Sequence, residues 1–130
     1  GRSALVFSAE GPDDPAVTGF DVLLAAHGLD RSAGAHHIGQ ALAEVMRRVL
    51  DASGVRRAVV AGGDSSGAVM SHLQVRALTV AAAAAPGVPL CRAWSDDPRR
   101  DGLEIALKGG QLGAESFYAD VRDGRSRGTA

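Results

Sequence analysis

The sequence predicts a single α/β domain, with a largely parallel or mixed sheet flanked by helices, and three observations carry that prediction. Short apolar, β-prone runs alternate along the chain with segments of helical periodicity. Glycine-rich stretches stand at the ends of two of the apolar runs, where a chain passes from strand to helix. Aromatic residues make up only 4 % of the 130 residues, so the core must come from Ala, Val and Leu, which suits helices packed closely on a sheet.

Ala4 to Ser8, ALVFS, is short and β-prone and is closed by the turn-rich Glu10 to Pro15, so it reads as a strand. Phe20 to Ala26 is a strand or a turn of helix, because periodicity cannot separate the two over seven residues. From Ala35 to Ala52 the residues Ile38, Leu42, Val45, Met46, Val49 and Leu50 recur at intervals of three and four. This predicts a helix capped by Ser32 and stopped by Gly54. Ala58 to Ala61 reads as a fully apolar strand, followed by GGDSSG and a helix from about Ser66 to Leu73. Val75 to Val80 reads as a strand. The AAAAAPG that follows is ambiguous, since alanine favours helix while Pro86 and Gly87 close it early, and a small-residue seam against a neighbour is the simplest reading. Val88 to Trp94 and Leu103 to Leu107 are two more strands, separated by the charged loop SDDPRRDG. KGGQLG, Lys108 to Gly113, then leads into a helix from Ala114 to Val121 on which Phe117 and Val121 share a face. The domain therefore runs over 1–121, and 122–130 form a flexible tail without apolar periodicity.

The totals exclude several function classes. A net charge of -1 gives no general attraction to nucleic acid or to an anionic membrane, and no apolar stretch is long enough to span one. The lone Cys91 cannot form an internal disulfide and reads as a small buried hydrophobe. The start GRSALVF is too short in apolar residues for a signal peptide, so the expected location is cytoplasmic. It also lacks Met, as a piece of a longer chain would. His27, His36, His37 and His72 show no metal-binding spacing, and the serines lack the GxSxG elbow of a hydrolase.

What remains is the pair of glycine-rich segments. In open α/β sheets ligands bind beyond the carboxyl ends of strands, where the next helix begins. A helix N-terminus offers unpaired N–H donors and partial positive charge, and glycine lets an anion approach the backbone, so phosphate is the natural guest. In the first segment Gly62, Gly63 and Gly67 permit that approach, and Ser65 and Ser66 add hydroxyls. Asp64 would repel a phosphate unless it caps the helix, the simpler role, or holds Mg²⁺. In the second, Lys108 can bring an ammonium to a phosphate, Gly109, Gly110 and Gly113 keep the backbone open, and Gln111 offers an amide to sugar or base. Each segment alone is equally a plain helix entry, and neither GxxxxGK[ST] nor GxGxxG is present. Together they suggest a cleft that grips a nucleotide.

In their order, VVAGGDSSGAV, APGVPLCRAWSDDP and GLEIALKGGQLGAESFY resemble the nucleotide-binding C-terminal domain of the four-carbon acid sugar kinases, the group of D-threonate, D-erythronate and 3-oxo-tetronate kinases. The likeness extends back through VFSAEGPDDP and so covers most of the chain. It implies ATP and Mg²⁺ as cofactors and phosphoryl transfer to a hydroxyl of a tetronate-type acid sugar. The implied ATP contacts are Gly62, Gly63, Asp64, Ser65, Ser66 and Gly67, with Lys108, Gly109, Gly110, Gln111 and Gly113. The departures are Ser65 where Thr is commoner and Gln111-Leu112 where Asn-Phe is common; neither removes the donors. The resemblance also implies that the acid sugar, the general base and a serine contact to ATP belong to an N-terminal domain absent from this chain. The piece by itself is then expected to turn over little. The alternative is a phosphate- or nucleotide-binding regulatory module without catalytic activity. Unpaired strand edges leave room for a homo-oligomer.

Overall fold

The computed structural model describes residues 3–125, and the order of its elements follows from where the chain can turn. Asp14 caps a one-turn helix α1 (Pro15–Thr18) by accepting the Ala16 N–H at 2.7 Å, and α2 (Phe20–Ala26) follows directly. The undecided segment is thus helical. Its Leu24 side chain packs against Gly34, where no side chain competes for the space.

The long helix α3 (Arg31–Ser53) is capped by Asp30, whose carboxylate accepts the Ala33 N–H at 2.7 Å. Ser32, expected to cap, lies instead within the first turn. Asp30 takes that place because, two residues earlier, it precedes the first turn and its carboxylate reaches that turn's free amides. Gly54 stops the helix in the left-handed conformation, as its position indicated.

The remaining elements are β1 (Arg57–Ala61), α4 (Gly63–His72), β2 (Ala77–Ala85), β3 (Val88–Trp94), β4 (Glu104–Lys108) and α5 (Phe117–Asp123). The sheet order is β1-β4-β3-β2. Only β1 and β4 are parallel, with Arg57 opposite Glu104 and Ala61 opposite Lys108; the other two pairings are antiparallel. The sheet is mixed rather than largely parallel. The cause is local: the two-residue Pro86–Gly87 turn sends the chain straight back, which only an antiparallel partner allows.

That turn also settles the alanine run. Ala81 to Ala85 continue β2, because the ladder to β3 outweighs alanine's helical preference. The register slips between Val80 and Ala82 and between Ala83 and Ala85, so β2 is bulged. The alanines form no buried seam, for only Ala84 is buried. Strands β2, β3 and β4 otherwise lie within a residue or two of their expected bounds.

Two further expectations are corrected. Ala4 to Ser8 form no strand: none of the described residues pairs with this segment, and Leu5, Val6 and Phe7 stand 65, 53 and 54 % exposed. The last helix begins at Phe117, three residues late, since Ala114 to Ser116 make a separate turn closed by the Phe117 N–H on the Ala114 carbonyl. Arg122 and Asp123, expected in the tail, instead continue this helix to its left-handed Gly124 cap, and most of the remaining tail lies outside the described residues.

Two apolar layers sandwich the sheet. On one face Ala43 and Leu50 of α3 and Val69 and Leu73 at α4 meet Val60, Ala93, Leu103 and Ile105. On the other, Phe117 and Val121 of α5 meet Ala84, Val88 and Ala106. Cys91 is buried as a hydrophobe, and its burial pushes the thiol pKa upward, away from nucleophilic use.

A charged clamp closes the far end. Arg100, 3 % exposed, ion-pairs with Asp51, which Arg99 and Arg47 also approach. The Arg100 hydrogen bond holds the Asp51 carboxyl below its ordinary value of 3.8 against the opposing effect of desolvation. A depressed carboxyl contributes stability above its unfolded pKa and loses it as pH falls through the folded one. Melting of the domain should therefore be insensitive to this group near neutrality and fall in acid below the ordinary value. In Asp51→Asn the neutral-pH melting temperature should drop and part of the acid decrement should vanish. Parallel melts at neutral and strongly acid pH measure both.

Candidate functional site

The two glycine-rich segments leave the carboxyl ends of neighbouring parallel strands, and a backbone hydrogen bond joins them: the Gly62 N–H donates to the Lys108 carbonyl at 2.9 Å. Residues far apart in sequence therefore form one wall at one end of the sheet.

GGDSSG is not a loop for most of its length. Gly62 alone makes the turn, with φ of 104°, a conformation that L side chains avoid, and Gly63 to Ser66 already belong to α4. The Ser66 N–H closes the first turn on the Gly62 carbonyl at 2.9 Å, and its hydroxyl donates to the same oxygen at 2.7 Å. The N–H groups of Gly63, Asp64 and Ser65 precede the first intrahelical bond and point out of the helix end. A Cβ placed on Gly63 or Gly67 would meet no atom within 4 Å, so the space beside them is open.

This refines the side-chain roles. The Ser66 hydroxyl is engaged internally, leaving Ser65 as the hydroxyl beside the open amides. Asp64 does not cap: the cap position is Gly62, no side chain bonds there, and Asp64 is an exposed first-turn acid. The helix starts too early for the capping geometry, because a cap must precede the first turn.

The second segment is shaped by Lys108. Its side chain is buried, 7 % exposed, and folds back so that Nζ donates to the Gly110 carbonyl at 2.7 Å. The ammonium also stands 5.9 Å from the ring centroids of both Phe117 and Tyr118, which pack edge to face. The lysine thus braces the loop against α5. Gly109 and Gly110 are exposed, and the Leu112 N–H closes the turn on the Gly109 carbonyl at 3.1 Å. Gln111 is exposed at the turn's tip. Gly113, with φ of 93°, runs so close to Phe117 that a Cβ would lie 3.0 Å from the ring, so this position requires glycine twice over.

Beside the second segment lies a groove of ≈ 80 Å³ lined by Ala84, Ala85, Pro86, Gly113, Ala114, Phe117 and Asp120. Sequence reasoning did not place Pro86, Phe117 or Asp120 at the site. The only local signal was the Pro-Gly turn, whose nearness to KGGQLG depends on β3 and β4 being neighbours. Among the described residues no group of three or more His, Cys, Asp or Glu could hold a metal by itself, and no helix is long and apolar enough to cross a membrane.

A family model for the nucleotide-binding C-terminal domain matches residues 1–118. The chain belongs to that family. It is similar to parts of larger proteins. Over 98 % of its length it is 60 % identical to a 3-oxo-isoapionate kinase of Paraburkholderia graminis, covering 27 % of that protein. Over 93 % it is 38 % identical to a 3-oxo-tetronate kinase of Cupriavidus necator, covering 25 %. Among solved structures, a domain of unknown function from Bordetella bronchiseptica, crystallised with citrate as a domain-swapped dimer, superposes with a TM-score of 0.59 at 27 % identity. That match covers 79 % of this chain and 25 % of the other. The nucleotide-binding C-terminal domain thus spans about a quarter of the length of the curated relatives it matches.

Proposed function

We propose that this domain holds ATP for a kinase that phosphorylates a hydroxyl of a four-carbon acid sugar. The observation that carries the reading is the Gly62–Lys108 hydrogen bond, which sets an open helix N-terminus and an exposed glycine turn side by side. The amides of Gly63, Asp64 and Ser65 would take phosphate oxygens, with the Ser65 hydroxyl beside them. Gly109, Gly110 and Gln111 would run along the ribose, and the apolar groove by Pro86 and Phe117 continues that line toward the base. Asp64, exposed in the same first turn, supplies an oxygen ligand of the kind Mg²⁺ takes, so the nucleotide would enter as Mg-ATP.

Phosphoryl transfer depends on positioning two substrates and on neutralising charge that spreads over the phosphate oxygens. This chain's residues serve the first substrate. The sugar, the general base and the remaining ATP contact belong to the rest of the longer protein, and the 3-oxo-isoapionate and 3-oxo-tetronate kinases among its relatives support an oxidised or branched acid sugar as substrate. ATP as a substrate fits a cytoplasmic location.

Calorimetric titration with Mg-ATP, Mg-ADP, inorganic phosphate and a sugar phosphate tests the reading. We expect Mg-ATP to bind at least about tenfold tighter than phosphate alone, a difference of ~1.4 kcal/mol. Equal affinities would instead favour a regulatory phosphate-binding module. Lys108→Met keeps the buried stem and removes the ammonium that holds the Gly110 carbonyl. We expect it to weaken Mg-ATP roughly tenfold, the scale of one charge-assisted hydrogen bond. Unchanged affinity would remove Lys108 from the site.

A further inference from the structure

The groove beside KGGQLG opens directly off the glycine turn. Leu112 spans the two: its Cδ1 lies 3.1 Å from where a Cβ on Gly109 would stand and 3.6 Å from the same point on Gly87. The walls are apolar, built by Ala84, Ala85 and Pro86 on one side and by Ala114 and Phe117 on the other. One charged side chain breaks that lining, Asp120, which is 7 % exposed.

Its place follows from the helix. Phe117 and Val121 of α5 face the sheet, and Asp120 stands about 100° around the axis from Val121, on the flank beside Ala84 and Ala85 of β2. A carboxylate in an apolar wall is costly unless donors meet it. The Ser116 hydroxyl, one turn back, donates to its Oδ2 at 2.7 Å and holds the side chain in place.

A carboxylate accepts hydrogen bonds and cannot donate them, and its charge repels phosphate. Asp120 therefore belongs with the uncharged end of a nucleotide, in agreement with the open amides of α4 taking the phosphates. On the edge of a base, the donor that meets an acceptor is an exocyclic amine. Guanine presents two adjacent donors, which engage both oxygens of a carboxylate at once, whereas Oδ2 here already takes the Ser116 hydroxyl. Adenine presents a single amine.

We infer, resting on the nucleotide reading above, that Asp120 selects the base: its carboxylate accepts a hydrogen bond from the 6-amino group of adenine and so favours ATP over other nucleoside triphosphates. The apolar walls keep water from that contact, so a base without the amine leaves the buried acceptor facing a bare edge.

Calorimetric titration of the full chain with Mg-ATP, Mg-GTP and the Mg²⁺ complex of purine riboside triphosphate, which is ATP without its 6-amino group, reads the selection. We expect Mg-ATP to bind at least about tenfold tighter than the amine-free analogue, the scale of one hydrogen bond to a charged group, and tighter than Mg-GTP. Asp120→Asn keeps the size of the side chain and an oxygen for Ser116. In it the preference for Mg-ATP over the analogue should be largely lost, while Mg-tripolyphosphate binds as before. A purely structural Asp120 would weaken both nucleotides alike and leave their ratio unchanged. An unchanged ratio, no preference in the unaltered chain, or tighter binding of Mg-GTP overturns the assignment. If Gly63→Val still abolishes Mg-ATP binding, such a result removes Asp120 alone and leaves the phosphate wall standing. Equal binding of Mg-ATP and inorganic phosphate removes both.

Discussion

Replacing Gly63 with Val is expected to abolish Mg-ATP binding while the fold stays intact. Gly63 is the first residue of α4, its φ lies outside the left-handed region, and a Cβ there would touch no protein atom within 4 Å. The protein therefore tolerates the side chain, and valine is a somewhat better helix residue than glycine. The open space it fills is the space a phosphate needs in order to reach the amides of Gly63, Asp64 and Ser65. We expect affinity to fall at least about a hundredfold, ~2.7 kcal/mol, by calorimetry, with the melting temperature unchanged or slightly raised. An unaltered Kd would place the nucleotide elsewhere.

Ile105→Ala should have the largest effect on stability. Ile105 is fully buried in β4, the strand between β1 and β3, and packs in the layer formed by Leu50, Val60, Val69 and Leu103. Truncation removes two methyl groups and a methylene and leaves a cavity that strands paired on both sides cannot collapse to fill. A cost of roughly 2–5 kcal/mol follows, against a total of about 5–15 for a domain of this kind. The melting temperature should fall on the order of 10 °C. Ile105→Val should cost only about 1 kcal/mol, and equal losses in the two variants would refute the cavity argument.

Part of the candidate site's geometry was legible in the residues. Gly62, Gly63 and Ser65 are read from a glycine- and hydroxyl-rich stretch between an apolar strand and a helix, and the structure places them at an open helix end. The long helix and its Gly54 stop were equally local signals. Less visible was what each polar group would touch. Lys108 looks in the sequence like a phosphate contact, yet its ammonium bonds to Gly110 and packs near two rings brought in by α5. Asp64 looks like a cap, but the turn at Gly62 starts the helix before it. The strand expected at Ala4 to Ser8 shows the same limit from the other side. β-propensity says which segment could pair, and only the presence of a partner edge makes it a strand.

The sequence by itself determined the long helix with its Gly54 stop, the approximate bounds of the four strands, the two glycine-rich segments and the family, because these rest on residues within a turn or two of one another. The tertiary structure alone decided that the sheet is mixed, that β4 lies beside β1, and that the Gly62 N–H meets the Lys108 carbonyl. Those outcomes depend on which distant strands bury each other's apolar faces, and the ladder that joins them is made of backbone groups that every residue carries, so no side-chain pattern announces it.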